Sequence, residues 1–388
     1  MLISSLNLKF QNSYILKQNI RQNAQVSFSK KDTKTTQLPL GFNTSYNIVL
    51  GDFVHPNRLI LDVDLERYSK MSEQAKRNCR KLYESYSTNT IIDKTQLFDK
   101  STQILPLSSQ ENLEKFVETS KIYLKYKDQP IICLGRSPKW FLNTAFWMKD
   151  GIPEYKFVAF SGYWFYPGPH HTTRRLDKEA PTKEEEAAYR KYLDRVGVNP
   201  QTIVDTMQKT GKKTVITDYI CSGKGACSFL DIMSRYANDL GILEDFSKSI
   251  QIVGIGSMDY MEILNPMAES ISIPSVPIPP LLEEYANNIH QKFYNMDYDV
   301  FEEMLLNRNT NECRSTYYPH SAWTVYSPDT FKTGLITDMK KVGELLKIFN
   351  DEKYILTFSP PMQDYRNLLN FRILDYLDSQ NMLRQLEN

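Results

Sequence analysis

The stretch Lys213-Thr-Val-Ile-Thr-Asp-Tyr-Ile-Cys-Ser-Gly-Lys-Gly-Ala-Cys-Ser228 decides how the rest of the chain is read. It opens with a β-branched run, Thr214 to Thr217, which suits a strand buried in a parallel sheet. Asp218 follows, and then a loop of small residues, Cys221-Ser222-Gly223-Lys224-Gly225. Phe229, Leu230, Ile232, Met233 and Tyr236 mark an apolar helix that stops near Gly241. Strand, acid, glycine-rich turn and helix together present backbone N–H groups and a positive helix end to a phosphate. Glycines let the main chain come close to such a ligand. An acid at the strand end accepts hydrogen bonds from sugar hydroxyls, so the pattern points to a phosphorylated ribose more than to a bare triphosphate. A Walker A loop is excluded. Asp218 stands where its first glycine belongs, and Gly225 follows Lys224 in place of Ser or Thr.

At 388 residues the chain has room for two to three domains of about 150 residues each. Charge is balanced, with 47 basic and 46 acidic residues, which argues against a nucleic-acid-coating surface. The five cysteines, Cys79, Cys133, Cys221, Cys227 and Cys313, are scattered and form no Cys-x-x-Cys pair. We read them as reduced thiols of a cytoplasmic chain without a structural zinc. The N-terminus lacks the basic and apolar regions of a signal peptide, and no apolar run reaches the ~18 residues of a membrane helix.

Three regions are expected: an α+β accessory part over 1–106, an α/β core over 107–295, and a mostly helical part over 296–388. In the first, 47–54 and 58–64 read as strands and Ser72 to about Tyr86 as a basic helix. Asp62, Asp64 and Glu66 alternate and would share one strand face, read as solvated rather than metal-binding.

The core opens with a capping box at Ser108 and Glu111, and Leu113, Phe116, Val117, Tyr123 and Leu124 form a helical stripe. Ile131–Leu134 is a buried strand that ends in Gly135-Arg136-Ser137-Pro138. A helix with Trp140, Phe141, Ala145, Phe146 and Trp147 follows and turns at Gly151. Arg136 offers a bidentate fork to phosphate oxygens. Residues 156–160 make the next strand. Ser161 to Arg175 have no regular pattern, and long loops of this kind are commonly functional. Thr182 and Glu185 cap a helix to Gly197, and a second runs over about 199–210. Residues 250–256 form a fourth strand, and 271–280, rich in proline, is the place expected for a fifth at an edge. Further helices are expected over 281–293, 297–307, 336–349 and 361–386. Alternating strands and helices imply a parallel sheet with right-handed crossovers and ligands beyond the C-terminal strand ends.

The 213–228 stretch resembles the PRPP loop of type I phosphoribosyltransferases. There, four apolar residues lead into two acids, two apolar residues, a small residue, Ser or Thr, Gly, any residue, and Ser or Thr. Thr217 and Asp218 fall on the two acids, Tyr219-Ile220 on the apolar pair, and Cys221–Gly225 on the 5′-phosphate loop. Thr217 replaces the first acid, Tyr219 is bulky, and Gly225 replaces a hydroxyl residue.

The resemblance covers about 108–280. It implies a Rossmann-like parallel core that binds PRPP with Mg²⁺ and transfers phosphoribose to an acceptor with release of pyrophosphate. The 5′-phosphate would rest on the loop of Cys221, Ser222, Gly223, Lys224 and Gly225, and Thr217, at the first acid position, would count among the PRPP-binding residues. Asp218 would take the ribose hydroxyls, and Gly135, Arg136 and Ser137 the pyrophosphate, with Asp218 and Arg136 as the catalytic pair. The 161–175 loop would be a lid that offers Tyr163, Trp164, His170, His171 and Arg174 to the acceptor. Tyr317, Tyr318, His320 and Trp323 are candidates for the acceptor pocket or for aromatic core. Because the first acid is missing, the alternative is a catalytically silent PRPP- or nucleotide-binding module used for regulation or protein interaction.

Overall fold

Short runs, most of them apolar, separated by helical stretches build a sheet of five parallel strands among the described residues. The computed structural model describes residues 61–88, 106–135, 138–160, 162–163, 180–264, 266–267, 273–306, 323 and 360–386. The chain divides into two compact units, 1–39 and 40–388, and every described residue lies in the second.

Helices α1 (Leu61–Lys70) and α2 (Glu73–Thr88) come first. Helix α3 (Gln110–Ser120) passes through a 3-10 turn, Lys121–Tyr126, into β1 (Ile131–Leu134). Then follow α4 (Lys139–Trp147), β2 (Lys156–Val158), α5 (Lys183–Val196) and α6 (Pro200–Thr210). The next unit is β3 (Thr214–Tyr219), α7 (Lys224–Asp239), α8 (Leu243–Ser249) and β4 (Ile250–Gly256). A short helix α9 (Met258–Leu264) and a 3-10 segment, Pro280–Asn288, precede β5 (His290–Asn295). Helix α10 (Tyr298–Phe301) runs on into a π-helical turn, Glu302–Leu306, and α11 (Pro360–Ser379) comes last.

The strand order is β2-β1-β3-β4-β5, and every neighbouring pair is parallel. From β1 the chain moves outward to β2, then returns past β1 to β3 and continues the other way. That reversal between β1 and β3 is a topological switch point, where the loops at the strand ends diverge and leave a crevice. Right-handed crossovers then place α4 and α7 on opposite faces of the sheet. Helix α4 packs with α1, α3 and α11, and α7 with α6, α8 and the Pro280–Asn288 segment.

The helix starts follow their local chemistry. Thr182 and Glu185 make the reciprocal capping box of α5, and Asn199 accepts the Thr202 N–H at 2.8 Å to start α6. The α3 cap lies one residue later than its sequence pattern suggests. Ser109 accepts the Asn112 N–H, while Glu111 reaches forward to Lys115 at 2.8 Å. An ion pair one turn ahead replaces the reciprocal half of the box.

Two expectations are corrected. Residues 61–64, read as the end of a strand, lie in α1. The spacing of Leu65 and Tyr68, both buried, suits a helix face, and Asp64 is buried against the Asn370 amide at 3.3 Å. The fifth strand is His290–Asn295, not 271–280, and it occupies positions expected to end a helix over 281–293. Pro274, Pro277, Pro279 and Pro280 carry no N–H, so that segment cannot supply a continuous ladder. The helix expected over 336–349 lies outside the described residues.

The helix expected over 361–386 is α11, followed by a short tail. The tail returns to α4: Lys149 N–H donates to Met382 O at 2.6 Å and Arg384 N–H to Trp147 O at 2.8 Å. Polar side chains tie α11 to the first helices. Arg80 donates to both oxygens of Asp375 at 2.8 and 2.6 Å, and Lys76 meets Asp378 at 3.2 Å.

Candidate functional site

Successive residues of a strand face opposite sides of the sheet, and Thr217 and Asp218 point to opposite faces. Thr217 is fully buried, and its hydroxyl lies 2.9 Å from that of Tyr123 in the 3-10 turn after α3. It fastens that turn to the sheet, so the residue expected at the first acid position of a PRPP site is a buried packing contact here. Asp218 faces the α7 side. Its Oδ1 accepts the Tyr219 N–H at 2.7 Å, and its Oδ2 lies 3.4 Å from the place a Cβ on Gly225 would take. Burial pushes the Asp218 carboxyl up to about 8, against the pull of the Tyr219 N–H. That shift favours the protonated form until a ligand brings donors or a cation.

The loop after β3 is held from two sides. Gly223 has φ +67°, and a Cβ there would stand 2.4 Å from Ser275 O and 2.8 Å from Val276 Cα. The space that a glycine leaves at 223 is therefore filled by the main chain of 275–277, not kept for a phosphate. On the other side, a Cβ on Gly162 would come within 2.7 Å of Gly225 Cα. What remains open is the rim, with Ser222 exposed and Cys221, Lys224 and Gly225 partly exposed. Gly223, the N-cap residue of α7, has no side chain to cap the helix, and the first turn begins with the Cys227 N–H bonded to Gly223 O at 2.9 Å. The Cys221 sulfur sits 3.1 Å from that of Met261 on α9.

Across the switch point, β1 ends at Gly135, whose N–H bonds Val158 O at 2.9 Å with φ +59°. Arg136 and Ser137 lie outside the described residues. Sequence reasoning missed two residues beside them. Lys139, the first residue of α4, is only 2% exposed, and Cys133 on β1 is fully buried. Burial pushes the Cys133 thiol well up, Asp218 pushes it further, and the Lys139 charge opposes both. Cys133 thus feels both Asp218 and Lys139 at the ends of β1 and β3. A lysine in a first helical turn is exposed by default, so nothing in the local pattern marked Lys139.

No family model matches this chain, and neither does any curated protein or solved structure.

The lid candidates divide. Trp164, His170, His171 and Arg174 lie outside the described residues. Tyr163 is 1% exposed and belongs to the core, which corrects its reading as a residue offered to an acceptor. Its hydroxyl donates to Asp231 Oδ2 at 2.6 Å and accepts from Arg235 at 3.1 Å. Arg235 also pairs with Asp231 at 2.9 Å and Glu186 at 3.2 Å, linking α7 to α5. Trp323 is fully buried, stacked on Tyr189 at 4.2 Å, so it too is core. Tyr317, Tyr318 and His320 lie outside the described residues.

Among the described residues no three His, Cys, Asp or Glu side chains gather where they could hold a metal, and no helix is long and apolar enough to cross a membrane.

Proposed function

We propose that the crevice between β1 and β3 binds PRPP with Mg²⁺ and that the chain transfers its phosphoribosyl group to an acceptor. The observation that carries this reading is the position of Asp218 at the end of a central strand, beside the glycine-capped start of α7 and across the switch point from Gly135. Amides of the first α7 turn would take the 5′-phosphate at the Ser222–Gly225 rim. Asp218 would take the ribose hydroxyls, and the Gly135–Ser137 loop the pyrophosphate, with Lys139 behind it. Mg²⁺ enters with the substrate, on the pyrophosphate oxygens. The C1–O bond to pyrophosphate would break, the acceptor nucleophile would bond C1, and its proton would pass to the departing pyrophosphate. The protein supplies positioning and charge stabilisation around an oxocarbenium-like carbon. The donor is a soluble metabolite and the four described cysteines are free, so we place the activity in the cytoplasm.

A second reading rests on Thr217. With its hydroxyl committed to Tyr123, one acid remains at the loop, which suits a silent PRPP- or nucleotide-binding module.

The test is thermal melting of the full chain with Mg²⁺ and each of PRPP, ribose 5-phosphate, AMP and ATP, with Asp218→Ala as control. At about 100 times its Kd a ligand adds about 2.7 kcal/mol, several degrees for a chain of this size. A rise specific to PRPP that Asp218→Ala removes supports the site. Pyrophosphate release on adding acceptors then separates the enzyme from the silent module. A flat response to all four ligands overturns both readings.

A further inference from the structure

The main chain that fills the space beside Gly223 is itself held by one side chain. Val276 N–H donates to Gln291 Oε1 at 2.8 Å, and Gln291 Nε2 donates back to Val276 O at 2.9 Å. A carboxamide has a donor and an acceptor spaced like those of a peptide group, so Gln291 takes the place of a strand neighbour. The 275–277 segment needs that substitute because its prolines interrupt any ladder. Among the described residues these two bonds are the ones that its main chain makes. Gln291 is in turn fixed by the sheet, since β5 pairs with β4 and Gln291 lies opposite Ile252. The line of contact runs from the sheet edge through Gln291 to Val276, from Ser275 O to Gly223, and so to the start of α7.

We propose that Gln291 is a positioning residue for the 221–225 loop. Through the 275–277 segment it holds Gly223 at positive φ and keeps the first α7 amides in one fixed array. A preformed array binds an anion without the entropy of ordering a loop. Gln291 itself touches neither the loop nor any ligand placed on it. The functional half of this proposal rests on the ribose-phosphate reading above, and the structural half does not.

Gln291 is exposed, so truncating it leaves no core cavity and the variant folds. The experiment compares wild type, Gln291→Ala and Gln291→Glu as full chains. Amide hydrogen exchange is followed in peptides covering 222–226 and 275–278, and PRPP affinity is measured with Mg²⁺. Gln291→Ala removes both bonds and is expected to speed exchange in both peptides about thirtyfold, the factor that two lost hydrogen bonds of ordinary strength give. PRPP Kd should rise by a similar factor while the ligand-free melting temperature stays near that of wild type. Gln291→Glu keeps the acceptor for Val276 N–H and should fall between the two. Faster exchange at 275–278 with unchanged exchange at 222–226 overturns the proposal, as does an unchanged PRPP Kd in a wild type that binds it. A wild type that ignores PRPP removes the ribose-phosphate reading alone, and exchange at 222–226 still decides whether Gln291 sets the loop.

Discussion

Asp218 is the residue on which most of the chemistry turns. Its carboxyl ordinarily loses its proton near 3.8 and in the fold only near about 8, so between these values the folded chain holds a proton that the unfolded chain has released. Stability is therefore full below about pH 4 and declines as pH rises towards about 8. Asp218→Asn removes that decline while its amide oxygen still accepts the Tyr219 N–H. The urea midpoint of Asp218→Asn should exceed that of wild type at pH 8–9, and the gap should close as pH falls towards 4. A constant gap across that range would mean that the carboxyl is not buried in the way described. Thr217 teaches the complementary point. It stands next to Asp218 in sequence but serves the opposite face, where it meets Tyr123. A motif comparison cannot register this, because it matches letters and not sheet faces.

At the scale of the element, the β3–α7 loop is shaped as much by its neighbours as by its own residues. Gly223 faces main-chain atoms that cannot swing aside, whereas Gly211 at the end of α6 has the same positive φ and nothing within 4 Å. Gly211→Ala should cost about 1 kcal/mol, the left-handed backbone alone. Gly223→Ala should cost about 3 kcal/mol or more, since overpacking adds to it. Urea unfolding of the two variants measures the difference, and equal losses would remove the close contact with Ser275. The strand, the turn and the helix of this unit were legible in the sequence, because β-branched runs, small residues and a 3.6-residue stripe are local signals. The role of its glycines was not, because a glycine shows that something comes near without showing what. The proline-rich 271–280 segment misled in the same way. Its extended backbone was legible, but it is held by a side chain and not by a ladder, and the edge strand is His290–Asn295.

Among the described residues, the first helices and the end of α4 pack on the C-terminal helix α11 and its tail. Leu369, Ile373 and Leu377 of α11 are buried, and the tail pairs with the end of α4 through Trp147 and Lys149. With Tyr68 bonded to Asp375 and Asp378 at 3.0 and 2.8 Å, α11 also anchors α1. Deleting 360–388 would expose the apolar faces of α1 and α4 at once. The truncated chain should lose its cooperative thermal transition, and its near-ultraviolet circular dichroism should flatten. A cooperative transition retained in the truncated chain would show that the sheet stands without this helix.

The sequence by itself determined the alternation of strands and helices, most helix starts, the parallel sheet and the loop at the end of the third strand. These follow from periodicity and capping, which depend on residues within one or two turns of each other. Only the tertiary structure decided that Thr217 turns away from Asp218, that Tyr163 is bound into the core by Asp231 and Arg235, and that Lys139 is buried at the switch point. It also decided that Gln291, nearly seventy positions beyond Gly223, secures the segment packed on that glycine. Burial of an apolar side chain can be read from a pattern. Its partner comes from a distant part of the chain, and the packing of the sheet selects it.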